Sequence, residues 1–398
     1  MTRASDKHFD EFRGHTLLKH LVLRKYVGAW AAKVRTIRRE AWFIDAFAGE
    51  GADNQGNPGS PLIAARLAAP LEADGLGVMR VVAVEKDRTR FERLSEIMAP
   101  FTDATPKVAH VRHGVLNDYI DGLMTHIGDK PALFFLDPFG VDGMLVDLLP
   151  KALQGPQNEI FALFADVGAN RLHAVLVAPG RDPDAEEAAV RATPSLFPEF
   201  DDERAAAARL EAQRSARALR NTQVPSERIL TEALGPAAIE ELAGVPEGER
   251  RDRLTRIFMR RLNEAGATYV LSLPVRDESN QHVYQLVYAT KSAVGLRTMK
   301  EAMDSALKNA PLPQEAVATM RAELRGNEGV AAREIARHFA GREVRWTEEA
   351  NRGDADTVRR YLLEQTALFP MQFDAVKAEL RDAGYVSLKR PLTFKFPP

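Results

Sequence analysis

Three short motifs, each where an apolar run gives way to a loop, carry residues that could do chemistry. Asp45-Ala-Phe-Ala-Gly-Glu-Gly51 closes the apolar run AWFIDAF (41–47). Gly49 and Gly51 let the backbone approach a ligand closely, beside Phe47 and Ala48, and a helix start beyond them adds unpaired N–H groups. The dinucleotide fingerprint would need a third glycine, but residue 54 is Asn. Glu85 ends the next apolar run, where an acid can accept both hydroxyls of a ribose; a surface acid paired with Lys86 is the plainer alternative. Asp137-Pro138-Phe139-Gly140 ends a third run. The Asp137 carboxylate and Pro138 carbonyl are acceptors for an –NH2 group, Phe139 offers a face to a flat ring, and Gly140 allows a tight bend. A plain strand-to-helix connection with a core Phe would look similar.

The elements that must position these motifs alternate. Residues 8–38 read as a helix, with Leu17, Leu18, Leu21, Tyr26 and Trp30 at helical spacing. Strands are expected at 41–47, 79–87, 107–113, 132–140 and 159–166. Helices are expected between them, the first opened by Ser60 as N-cap and Pro61. Wholly apolar strands alternating with helices predict an α/β fold: a buried, mostly parallel, Rossmann-like sheet covered on both faces. Ligands of such sheets bind at the carboxyl edge of the strands, where all three motifs fall. Residues 177–265 interrupt the rhythm and read as a helical insertion. Residues 266–308 contain two strands joined by a polar turn (267–290), taken as the antiparallel end of the same sheet. Pro311 and Pro313 mark a linker into a C-terminal module, 309–398. Its helix, turn and two short strands suggest a winged helix. The expected division is therefore 1–40, 41–176, 177–265, 266–308 and 309–398.

Composition narrows the classes. The 398 residues suggest two or three domains. The chain has no cysteine, which excludes disulfides, thiolate-bound metal and thiol nucleophiles. This fits a reducing cytoplasm, and the polar, mixed-charge start is not a signal peptide. No apolar run reaches bilayer length, so no membrane partner is expected. A net charge of −2 supplies no global basic field, so nucleic-acid binding would need a local patch. The histidines show no metal-ligand spacing, and no metal is expected.

In their order along the chain, the three motifs resemble those of class I S-adenosylmethionine-dependent methyltransferases, especially those with a DxFAGxG loop. The tetrapeptide Asp137–Gly140 is similar to the motif of tRNA guanine-N2 methyltransferases. It departs from the DPPY or DPPF of adenine-N6 enzymes, because its aromatic comes one position early. A second departure is Val115, where an acid is common; Asn117 or Asp118 would replace it on the adenine edge. A closer resemblance covers roughly residues 8–145 and, more loosely, the LVYAT strand and the C-terminal module. HTLLKHLVLRKYVGAW, FIDAFAGEG, PGSPL and LFFLDPFGV look like the three-Cys-motif partner protein (TcmP) family.

The resemblance implies S-adenosylmethionine as cofactor, held by Asp45, Phe47, Ala48, Gly49, Gly51, Glu85, Lys86 and Asn117 or Asp118. It implies catalysis around Asp137, Pro138 and Phe139 on an exocyclic amine of a nucleobase, and a cysteine-motif protein encoded nearby as partner, with DNA or RNA as a further partner. The sulfonium carbon is already electrophilic, so such a site works mainly by alignment. A non-catalytic cofactor- or nucleic-acid-binding subunit and a small-molecule methyltransferase remain alternatives. Gly140, Lys19 and Arg171 are candidate substrate contacts. His15 and Lys19, four apart on one helix face, would reach a phosphate or the substrate mouth, or else belong to a solvated helix with one packed His. Lys389, Arg390 and Lys395 would lie on the wing and bind nucleic acid, or serve a protein-interaction module.

Overall fold

The structure, a computed structural model, describes residues 14–38, 40–73, 77–104, 107–138, 146–170, 225–324, 327–346, 357–366, 368–389 and 392–397. Helix α1 (Gly14–Arg38) leads into β1 (Glu40–Asp45), α2 (Ser60–Ala73), β2 (Val78–Glu85), α3 (Arg88–Thr102) and β3 (Ala109–His113). A 3-10 turn at Leu116–Asp118 precedes α4 (Ile120–Ile127), β4 (Ala132–Leu136), α5 (Leu148–Ala152) and β5 (Asn158–Phe164). In the described part of the expected insertion stand α6 (Pro225–Leu234), α7 (Ala238–Leu242) and α8 (Glu247–Glu264). Then come β6 (Tyr269–Arg276), β7 (His282–Thr290), α9 (Ala293–Lys308) and α10 (Gln314–Glu323). The chain closes with α11 (Glu328–His338), β8 (Glu343–Arg345), α12 (Val358–Gln365), α13 (Phe373–Asp382), β9 (Val386–Lys389) and β10 (Leu392–Lys395).

The sheet has seven strands in the order β3-β2-β1-β4-β5-β7-β6. β1 to β5 run parallel, and β7 lies antiparallel between β5 and β6. The expected antiparallel end of the sheet is thus present. β4 and β5 are buried at every residue, as is β1 from Ala41 onward. That is why these segments read as continuous apolar runs rather than alternating ones. Helices α1, α2, α3 and α9 cover one face, and α4, α5 and α8 the other. Strand order reverses direction between β1 and β4, which opens a crevice at their carboxyl ends.

Helix α1 crosses one sheet face against the strand direction. Its first turn sits at the carboxyl edge, and its last turns approach α9, where Lys33 bonds Thr298. Midway, Tyr26 donates to Glu159 Oε2 at 2.5 Å and meets the Tyr288 hydroxyl at 2.5 Å. Thr290 donates to Glu159 Oε1 at 2.9 Å. Burial pushes the Glu159 carboxyl up, and the hydroxyls around it satisfy it without a cation.

A second core contains Ile335, Phe339, Leu362, Val376, Phe394 and Phe396. Its strands form an antiparallel sheet in the order β8-β10-β9. The expected boundary at 309 falls too early. α10 packs on β6, and its Val317 and Met320 belong to the first core. The second core begins at Ala331. It docks on α9 through a buried lysine: Lys300 donates to the carbonyls of Leu362 (2.9 Å), Leu363 (3.0 Å) and Thr366. These carbonyls close the C-terminal turn of α12, where no intrahelical donor remains. Arg297 adds a bond to Glu364 at 2.7 Å.

Lys300→Met keeps the length of the side chain and removes the lysine donor from the carbonyls of Leu362, Leu363 and Thr366, of which Leu362 keeps the Thr366 hydroxyl. The expected loss is about 1–3 kcal/mol. Hydrogen exchange should quicken in α12 while β1 and β4 stay protected. Unchanged exchange in α12 would show that Lys300 is not the clamp.

Candidate functional site

The carboxyl edge collects acids from four adjacent strands. Asp45 ends β1, Glu85 ends β2, Asp137 follows β4, and Asp166 lies just past β5. All four are buried, between 0% and 7% exposed. Each buried carboxylate must find a partner or give up its charge, and the four differ in how they do so.

Asp137 is paired with Lys19 from the first turns of α1. Lys19 is itself 3% exposed. A face that buries Lys19 is not the solvated helix face of the alternative reading. The ammonium engages Asp137 Oδ2, whereas the buried Oδ1 accepts no hydrogen bond from the described residues. The first turn of α1 is fixed from the antiparallel strands. Tyr284 of β7 donates to the His15 carbonyl at 2.9 Å, and the Gly14 amide bonds Glu278. A Cβ on Gly14 would lie 2.5 Å from the Pro311 carbonyl, so only glycine fits this approach.

Asp45 accepts the Phe47 amide on Oδ1 at 3.2 Å, and its buried Oδ2 has no partner among the described residues. Burial pushes its carboxyl up to about 7. The Ser60 hydroxyl and Phe47 amide counter this, nearby Asp137 adds to it, and Lys19 offsets it. Ser60 was expected to be the N-cap of α2. It is instead the first helical residue, with the Ile63 amide bonded to Gly59. Its hydroxyl serves Asp45.

The loop after β1 is laced across the neighbouring strands. Ala46 N bonds Phe135 O at 3.1 Å, and Ala48 N bonds Val84 O at 3.0 Å. Gly49 N bonds Glu85 Oε2 at 2.9 Å. Gly51 has φ +85°, and a Cβ there would lie 2.9 Å from Leu94 of α3, so the turn demands glycine twice over. Glu85 also accepts the Asp87 amide at 2.8 Å on Oε1. Burial pushes Glu85 up, while the Asp87 amide, Arg90 and the Gly49 amide favour its charge. Each Glu85 oxygen keeps a further lone pair for a ligand hydroxyl. Lys86 is exposed beside it and has no ion pair among the described residues, so the surface-pair alternative for Glu85 is excluded. Asn117 and Asp118 are exposed in the turn after β3, reached through Gly114, whose amide bonds Glu85 O at 2.9 Å. Pro138 is buried next to Asp137. Phe139, Gly140, Arg171 and Arg390 lie outside the described residues, and Lys395 is exposed on β10.

Sequence reasoning missed the fourth acid. Asp166 is 1% exposed and accepts from His282 Nε2 at 2.8 Å and from its own neighbour Val167 N at 3.0 Å. The signal was present: an acid ending a fully apolar run, as at Asp137. His282 and Tyr284 carried none, because their place at this edge follows from β7 being antiparallel. Among the described residues no group of His, Asp and Glu is arranged to hold a metal ion.

No protein-family model and no curated protein sequence matches the chain. Among solved structures, it is similar to the O-methyltransferase TomG from Streptomyces achromogenes in complex with SAM. That match has 12% identity and a TM-score of 0.34, covering 72% of this chain and 94% of that one. It is similar to protein LPL1258 from Legionella pneumophila at 10% identity and a TM-score of 0.39, covering 75% and 93%. It is also similar to an O-methyltransferase from Bacillus cereus in complex with SAH, at 10% identity and a TM-score of 0.33, covering 72% and 94%.

Two outcomes follow from the site's electrostatics. Lys19→Met leaves Asp137 as a buried charge without its cation and should cost about 3–5 kcal/mol in chemical denaturation. Adding Asp137→Asn should restore most of that loss; purely additive effects would mean that the pair is not coupled. Asp45 gives a pH signature. Its carboxyl is raised from its ordinary 3.8 to about 7. Between those values the folded chain holds a proton that the unfolded chain has released. The stability this contributes is full below about pH 4 and is lost as pH rises toward 7. Asp45→Asn should therefore melt above the wild type at pH 8, with an advantage on the order of 1–4 kcal/mol that shrinks toward pH 4–5. An advantage that grew toward acid would reverse the assignment.

Proposed function

We propose that the chain is an S-adenosylmethionine-dependent methyltransferase acting on an exocyclic amine of a nucleobase in nucleic acid. The observation that carries this reading is the pair of buried carboxylate oxygens without partners among the described residues, Asp45 Oδ2 and Asp137 Oδ1, at the ends of adjacent strands at the switch point. Two carboxylates with one lysine between them leave a net negative, desolvated crevice. That suits a ligand carrying an ammonium and a sulfonium, and suits a purely anionic dinucleotide poorly. The residues fit the cofactor elsewhere too. Gly49 to Gly51 would lie along it, and Glu85, anchored by two amides, would accept the ribose hydroxyls. When bound, the cofactor supplies an electrophilic methyl group.

The chain's own part is to place the nucleophile. Lys19 fixes one oxygen of Asp137, which leaves Oδ1 to accept one N–H of the incoming amine and orient its lone pair. The Pro138 carbonyl is the second acceptor in this reading. Nothing stronger is needed, because an aryl amine becomes acidic as it gains a methyl group and sheds its proton to water.

The nucleic-acid target rests on the resemblance at Asp137–Gly140 and on the C-terminal module. In that module, α11, β8, α12, α13, β9 and β10 follow one another as in a winged helix. Membership of the three-Cys-motif partner family, with its cysteine-motif partner and a cytoplasmic setting, belongs to this proposal as well. No helix among the described residues is long and apolar enough to cross a membrane.

Calorimetry with S-adenosylmethionine is the first test. Glu85→Ala should weaken binding by about 2–3 kcal/mol. Asp137→Asn should lower transfer of labelled methyl to total nucleic acid by about 100–1000-fold even at saturating cofactor. Equal affinity in wild type and Glu85→Ala would remove the cofactor assignment. Binding without transfer to any pool, with the neighbouring protein present, would favour a non-catalytic subunit. Transfer to small molecules alone would favour the third reading.

A further inference from the structure

The loop after β1 has a second side. Beyond Gly51 it closes into a small hairpin: Ala52 bridges Pro58, Asp53 N bonds Asn57 O at 3.1 Å, and Gly56 N bonds Asp53 O at 3.0 Å. The Asp53 carboxylate locks it from inside. It accepts Gln55 N at 3.0 Å, Asn57 N at 2.7 Å and Asn57 Nδ2 at 2.8 Å. These bonds fix an exposed tip, Asn54-Gln55-Gly56. The cofactor reading gives it no task, since that reading uses the loop only as far as Gly51.

This hairpin forms one wall of a cleft of about 560 Å3. The other walls are α2 and α3. The floor is apolar, with Leu62, Ile97 and Phe101, and the flanks carry Arg66 from α2 and Arg93 from α3. Both arginines are exposed. Arg66 makes no hydrogen bond or ion pair with the described residues, and Arg93 has a loose contact to Glu96 at 3.5 Å. Asp53, the acid in the cleft, is committed to the loop. The volume is within the range of small-ligand sites, roughly 300–1,000 Å3. None of Asp45, Glu85, Lys19 or Asp137 lines it, so it is distinct from the candidate cofactor crevice.

We infer that this cleft binds a nucleotide. Two guanidinium groups without strong partners flank it and suit a phosphate, which they can grip bidentately. The apolar floor with Phe101 suits the face of a base. Asn54 on the exposed tip carries an amide, the donor–acceptor pair that reads base edges. A free nucleotide and one residue of a single strand share this chemistry. The site stands independently of methyl transfer, but its wall is continuous with the Gly49–Gly51 turn.

The test uses the full chain with two probes: guanosine and adenosine monophosphates by calorimetry, and a fluorescein-labelled single-stranded 12-nucleotide RNA by anisotropy. The variant is Arg66→Glu/Arg93→Glu, both surface changes. The wild type should bind at least one probe, and the double variant should bind it at least tenfold more weakly. For the oligonucleotide, removing two phosphate contacts should flatten the slope of log Kd against log salt by about 1.4. S-adenosylmethionine affinity should stay within twofold of wild type. Competition by the mononucleotide marks a free nucleotide as the ligand, and binding of the oligonucleotide alone marks a strand. The inference is overturned if neither probe binds at millimolar concentration, or if the double variant binds as well as wild type. It is also overturned if cofactor affinity falls in parallel, since the cleft would then belong to the cofactor site.

Discussion

The Lys19–Asp137 ion pair is the interaction on which the edge of the sheet depends. Parallel strands bring their carboxyl ends to one line, and here each of four neighbouring ends carries an acid. Charges this deep cannot all stand unpaired. The cation comes from a helix that precedes the sheet in sequence. α1 must therefore lie across the whole sheet face with its first turn at the carboxyl edge. That end is tightly specified: Gly14 is held by Glu278, His15 by Tyr284 and Lys19 by Asp137 just after β4. The middle of the same helix meets a second buried acid. Glu159 is held by the hydroxyls of Tyr26 and Thr290, a neutral network suited to a site that binds nothing.

The contrast separates structure from function at this edge. Glu159 has its acceptor capacity filled from within. Asp45 and Asp137 each keep one oxygen unfilled by the described residues, although burial makes that costly. A chain selected for stability alone would replace Asp45 with a neutral residue. Retaining a carboxylate whose ionisation is opposed up to about pH 7 makes sense if a cationic ligand repays the cost on binding. Near neutrality, ligand binding and Asp45 deprotonation would then favour each other.

The sheet was legible because its strands are buried on both faces, so they read as apolar runs with their acids at the ends. The antiparallel pair was legible from its polar turn. What escaped were features that depend on contacts across distant segments. His15 and Lys19 looked like a solvated helix face as readily as a site, because nothing in i, i+4 spacing says that the face points at β4. Ser60 has the residue type of an N-cap, and its recruitment by Asp45 follows from strand position rather than from local propensity. The boundary before the C-terminal module was placed at its prolines. The physical boundary follows packing, and α10 keeps its apolar face on β6. β8 and α12 went unnoticed, since short elements lack enough periodicity to register.

The four acids form a graded series along the edge. Glu85 is neutralised by amide dipoles, which leave its charge in place and its outer lone pairs available. Asp45 and Asp137 share a single lysine, so the charge of the middle pair is incompletely balanced. Asp166 is closed off by Val167 N, His282 and Gln285, with distances of 3.0, 2.8 and 3.4 Å. A ligand reading this edge from β2 to β7 meets acceptors for hydroxyls, then a site for positive charge, then an imidazole whose orientation a carboxylate fixes. That polarity is vectorial, and it matches the proposed ligand, with a diol at one end and a cation toward the middle. His282 and Tyr284 stand on the β5–β7 side of this edge. The antiparallel strand appended to the parallel sheet adds His282 and Tyr284 to an edge where β2, β1, β4 and β5 end in or just before acids.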